Sequence, residues 1–107
     1  MFKIIDKASW HIDKGVPKKQ VVSHFKFIFN WLKKNNLLSE DGKEILDIGI
    51  DESISLNEKM VNKKGLNFLK YYYDEYISSI NYGVKEDEKL LDKYYNLFMI
   101  KINRGEV

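Results

Sequence analysis

The sequence predicts a mainly α protein: one compact domain, residues 1–107, with four to five helices around a central buried helix at about 17–36. A short β-hairpin is one reading of residues 54–61. Three observations lead to this class. Apolar residues recur at spacings of three and four in successive segments joined by short polar connections, which favours antiparallel helices around one core. Pro17 is the only proline, so the longer segments are unbroken. A chain of 107 residues can bury a core without covalent staples, and with no cysteine it has no disulfide, thiolate metal site or cysteine nucleophile.

Residues 1–14 satisfy two patterns. Phe2, Ile4, Ala8, Trp10 and Ile12 alternate with polar residues as in a strand, while Ile4, Ile5, Ala8 and Ile12 share a helical face. The helical reading is preferred, because Gly15 can stop a helix and Pro17 can start the next. It leaves Trp10 off the apolar face, among Lys3, Lys7 and Lys14.

On a wheel of about 100° per residue, Lys19, Ser23, Lys26, Asn30, Lys33 and Lys34 of the central helix form one narrow stripe. The rest of its circumference, about 220°, is apolar apart from His24, which is wider than a surface helix needs. Val21, Phe25, Ile28, Phe29 and Leu32 are the expected core, and His24 is expected to be a partly buried structural residue.

Asn35-Asn36 closes this helix. Ser39 caps a short helix through Ile45, Leu46 and Ile48, whose early acidic residues complement its dipole and which Gly49 ends. Residues 50–62 allow a capping box at Ser55-Leu56-Asn57-Glu58, or a hairpin of Ile54–Leu56 with Met60-Val61 around Asn57-Glu58-Lys59. Asn62 caps a helix to about Ile80, with Leu66, Leu69, Tyr73, Tyr76, Ile77 and Ile80 inward, Tyr72 at the edge and Tyr71 outward. After the turn Asn81-Tyr82-Gly83, the last helix begins near Lys85-Glu86-Asp87-Glu88. It buries Leu90, Leu91, Tyr94, Leu97, Phe98 and Ile102. These two tyrosine-rich helices are expected to form a hairpin that wraps the central one.

Net charge is only +2, but it is segregated: residues 1–36 balance to +6 and residues 37–58 to −6. No window approaches the ~18 apolar residues of a membrane span, and the first residues are charged throughout. Neither a span nor a signal peptide is expected, and the expected location is cytoplasmic. Catalytic, cofactor-binding and metal-ligating patterns are missing. His11 and His24 are the two histidines and belong to no ligand motif, and the six glycines are scattered rather than gathered in a phosphate loop. The sequence is read as that of a non-enzyme.

In being small, charge-segregated and aromatic-rich without catalytic equipment, the chain resembles small bacterial immunity and antitoxin proteins. That resemblance implies a partner protein, such as a basic nuclease toxin, covered by a charged and aromatic face. The candidate partner-binding residues are Glu40, Asp41, Glu44, Asp47 and Asp51, with Tyr71 and Trp10 as aromatic anchors. The alternative is a DNA-binding regulator. LLSEDGKEIL and MVNKKGLNFL resemble phrases near the wings of winged-helix repressors, and Lys18, Lys19, Lys26, Lys33 and Lys34 would meet phosphates. Arg104 is the only arginine, which removes the commonest base-reading side chain. Homodimerisation through the tyrosine-rich hairpin is a third expectation.

Overall fold

The computed structural model describes residues 3–106. In order, the elements are β1 (Ile4–Lys7), α1 (Ala8–Ile12), α2 (Lys18–Lys34), α3 (Glu40–Ile48), β2 (Ser55–Asn57), α4 (Lys63–Ser78) and α5 (Glu88–Asn103). The class is the expected one, mainly α with a short antiparallel β pairing.

α2 is the centre of the molecule. Val21, His24, Phe25, Ile28, Phe29, Trp31 and Leu32 are buried, while Lys19, Ser23, Lys26, Asn30, Lys33 and Lys34 are all exposed. The stripe read from the wheel is the one solvent sees. Asn36 ends the helix at a φ of 59°, a left-handed conformation that asparagine adopts more readily than other side chains.

The two patterns at the N-terminus are both real, in succession. Ile4–Lys7 is a strand and only Ala8–Ile12 is helical, which corrects the preference for helix throughout; Met1 and Phe2 lie outside the described residues. The reason is tertiary. β1 pairs antiparallel with β2, setting Ile4 opposite Asn57, Asp6 opposite Leu56 and Lys7 opposite Ser55. The Ala8 amide extends this edge to the Ile54 carbonyl at 3.0 Å. The strand expected near 54–61 is thus present, with the N-terminal segment as its partner. The turn at Asn57-Glu58-Lys59 is also present, since the Met60 amide donates to the Asn57 carbonyl at 3.0 Å. The returning Val61 then bridges to Leu38.

The helix starts are capped as their sequences suggest. Ser39 Oγ accepts from the Gly42 amide at 3.1 Å, and Asn62 Oδ1 accepts from the Gly65 amide at 2.8 Å. Asp87 Oδ1 accepts from the Leu90 amide at 3.1 Å, each satisfying a donor the helix cannot. The last helix therefore begins at Glu88, later than expected, and Glu86 is left in the connection.

α4 and α5 form the expected antiparallel hairpin. Phe68 meets Phe98 edge-on with ring centroids 5.6 Å apart, and Tyr72 stacks on Tyr94 at 5.3 Å. Trp31 of α2 wedges against Phe68 at 5.2 Å and Tyr95 at 5.7 Å, so the hairpin does wrap the central helix. Tyr72, placed at the edge of its face, is buried, whereas Leu97, placed on the apolar face, is exposed. The Cα radius of gyration, 13.4 Å, matches the ~13 Å of one compact domain of this length. Among the described residues, no helix is long and apolar enough to cross a membrane.

Candidate functional site

The acidic residues of α3 stand on its outer side. Glu40, Lys43, Glu44, Asp47 and Ile48 line a shallow concavity there. Glu40 meets Lys43 at 3.4 Å, but Asp41, Glu44 and Asp47 are in no ion pair among the described residues. Ile48 lies at the edge of this acidic arc and is 75% exposed. This corrects the expectation that Ile48 shares the apolar face of Ile45 and Leu46. It falls about 40° from Glu44 on the helical wheel, on the arc that α3 turns to solvent.

The other predicted binding residues do not all gather here. Asp41 is exposed in the first turn of α3 without lining the concavity. Asp51 lies on the far side of Ile48, in a second depression with Ile45, Ser53, Ile54 and Met60. Its Oδ1 closes a turn, accepting from the Ser53 hydroxyl at 2.5 Å and the Ser53 amide at 2.8 Å. These two hydrogen bonds hold the Asp51 carboxyl below its usual range, the hydroxyl contributing more. Trp10, 46% exposed on α1, and Tyr71, 53% exposed on α4, line neither depression. Tyr71 rests against Phe98 and Tyr72, with the Lys101 ammonium 6.0 Å from its ring centroid.

The lysines of α2 are a row rather than a patch. Lys18, Lys19 and Lys26 line a concavity with Val22, Ser23 and Glu52, and Lys18 already meets Glu52 at 3.5 Å. At a rise of about 1.5 Å per residue, Lys33 lies about 10 Å beyond Lys26 and about 21 Å beyond Lys19 along the helix. Lys34 is paired with Glu88 at 2.6 Å, a hydrogen bond that raises its pKa above the ordinary lysine value. Lys18–Glu52 is the one ion pair joining the basic and acidic blocks among the described residues, so the segregated charge is not consumed inside the fold.

The most organised polar cluster is elsewhere, and it is buried. Asp6 of β1 accepts from the Lys7 amide at 2.8 Å and meets His11 Nε2 at 2.7 Å through Oδ1. Its Oδ2 accepts from the hydroxyls of Tyr73 at 2.5 Å and Tyr82 at 3.3 Å. His24, with no solvent exposure, meets the Tyr73 hydroxyl through Nε2 at 2.8 Å. Its Nδ1 lies 3.0 Å from both oxygens of Glu86. Glu86 also accepts from the Tyr76 hydroxyl at 3.0 Å and the Gly83 amide at 2.8 Å.

Burial raises the hydroxyls of Tyr73, Tyr76 and Tyr82 above the ordinary phenol range, and the neighbouring carboxylates add to it. No buried side-chain nitrogen or oxygen among the described residues lacks a partner. The expectation that His24 is structural agrees with its burial. Its partners Tyr73 and Glu86 were not legible, because they lie 49 and 62 residues away. Among the described residues, no three His, Asp or Glu side chains are grouped to hold a metal ion.

Comparison of the chain with protein-family models, with curated proteins and with solved structures finds no match in any of the three. The reading of function therefore rests on the molecule itself.

Proposed function

We propose that this protein is a cytoplasmic interaction module, of the immunity or antitoxin kind, that binds a basic protein partner through the outer side of α3. The observation that supports it is Ile48, 75% exposed at the edge of a concavity it shares with Glu44 and Asp47, neither of which is in an ion pair among the described residues. An exposed apolar side chain beside unpaired carboxylates suits a basic surface. The carboxylates speed association and select the partner, and the isoleucine supplies affinity as the partner covers it. Trp10 and Tyr71 belong to other faces and would extend the contact only for a partner that wraps the domain.

The direct test takes the product of the adjacent reading frame as the partner and measures its association with the wild type and with Glu44→Lys/Asp47→Lys. The reading requires the variant to lose association rate at low salt, and Ile48→Ala to dissociate faster. Unchanged capture by both variants sinks the acidic-face reading.

The lysine row supports nucleic-acid binding less far, since Lys18 and Lys34 already have carboxylate partners and α2 is committed to the core. Titration against random duplex at about 50 mM salt separates the two, because phosphate binding is strongest at low salt.

A further inference from the structure

Three polar contacts run in series through the core: Asp6 Oδ2 to Tyr73 Oη at 2.5 Å, Tyr73 Oη to His24 Nε2 at 2.8 Å, and His24 Nδ1 to the Glu86 carboxylate at 3.0 Å. At such distances each contact must contain a proton, since facing lone pairs repel. With both carboxylates ionised and a neutral imidazole, the series owns only two hydrogens, the Tyr73 phenolic proton and one ring N–H. A third is required.

The surroundings do not lend it. Glu86 is already accepting from the Gly83 amide and the Tyr76 hydroxyl, and the Tyr76 oxygen is itself taken by the Asp87 amide at 2.9 Å. Asp6 is already accepting from the Lys7 amide and the Tyr82 hydroxyl, with His11 on the same oxygen as the amide. The extra proton sits on a carboxylate or on the imidazole. Donors already reach both oxygens of Asp6 and both of Glu86, which favours ionised carboxylates and leaves the proton to the imidazole.

We infer that His24 is a doubly protonated imidazolium bridging the buried carboxylate of Asp6, through Tyr73, and the largely buried carboxylate of Glu86, and that this series is the clasp holding β1 and the connection 79–87 onto the core. The buried charges then alternate, negative, positive, negative. The titratable groups facing the ring come from every element around it: Asp6 from β1, His11 from α1 across the Tyr82 ring, Tyr73 and Tyr76 from α4, and Tyr82 and Glu86 from the connection. Each carboxylate anchors a backbone amide of its own segment, Lys7 for Asp6 and Gly83 for Glu86, so the clasp orders main chain as well as side chains.

Long-range nitrogen–proton correlation spectra of the full chain at neutral pH test the charge state. His24 is told from His11 by its contact with Phe25, whose ring centroid lies 5.4 Å away. Two ring N–H groups on His24 are expected, and a single one, marking a neutral tautomer, overturns the inference. The clasp is tested in His24→Gln by amide exchange. Gly83 and Lys7 should exchange on the order of a hundredfold faster relative to the interior of α5, as when one partner of a buried pair is removed. Equal loss of protection everywhere, or none at these two amides, overturns the clasp. If that variant does not fold, the ring-proton count on the wild type still decides.

Discussion

The ring of Tyr82 lies against that of His24, with centroids 3.8 Å apart and planes 27° from parallel. His11 stacks on the other side of Tyr82 at 4.2 Å. A tyrosine from the connection between α4 and α5 is thereby held between two imidazoles from α1 and α2. It does more through its ring than through its hydroxyl, whose 3.3 Å bond to Asp6 is long. Tyr82→Phe should therefore cost under about 1 kcal/mol. Tyr82→Ala should cost about 2–4 kcal/mol, approaching the range for a buried aromatic. Urea unfolding of the two variants checks the difference, and equal losses would mean that the hydroxyl carries the contribution.

Gly83 is required by space as well as by conformation. Its φ is +72°, and a Cβ there would stand 2.0 Å from the Gln20 carbonyl oxygen, a backbone atom that cannot swing away. Gly15 also has a positive φ, +95°, but nothing lies within 4 Å of its would-be Cβ. Gly15→Ala should lose about 1–2 kcal/mol from the left-handed conformation alone. Gly83→Ala should lose clearly more, because the connection must also lift off α2. Thermal or urea melts of the pair are the check.

The core predictions follow from α2. Phe25→Ala and Phe29→Ala remove rings with no solvent exposure and should each cost about 3–5 kcal/mol, against about 0.5–1.5 kcal/mol for Ile28→Val. Lys26→Ala, on the solvent stripe of the same helix, should stay within about 0.5 kcal/mol. A large loss at Lys26 would mean that the stripe is not merely solvated.

Alkaline pH should unfold the protein through its buried phenols. Tyr73, Tyr76 and Tyr82 are raised above the ordinary value of 10.0, chiefly by burial. The folded state therefore keeps these protons where the unfolded chain releases them. Their contribution to stability is complete below about pH 10 and is lost as pH rises toward the folded values, by up to about 1.4 kcal/mol per pH unit for each tyrosine. Unfolding free energies measured across this range should fall less steeply for Tyr82→Phe. Phenolate absorbance of these three should appear together with unfolding, and its appearance in the folded protein would contradict the burial.

Much of the fold was written locally. The central helix and its lysine stripe, the caps at Ser39 and Asn62, and the antiparallel tyrosine hairpin each depend on residues a few positions apart, which set helical periodicity and satisfy helix ends. The same locality exposes Trp10, Tyr71 and the carboxylates of α3, because a side chain on the polar arc of a helix stays outside when the apolar arc is buried.

Tertiary structure decided what local pattern could not. Ile4–Lys7 became a strand only because Ser55–Asn57 was there to pair with it, and hydrogen bonds between segments 48 residues or more apart leave no periodic trace in either. Asp6, Tyr73, His24 and Glu86 each have an ordinary surface or core explanation when read alone. Their meeting depends on four elements packing at once, and burial then couples them, since a polar group withdrawn from water must find its partner inside the protein.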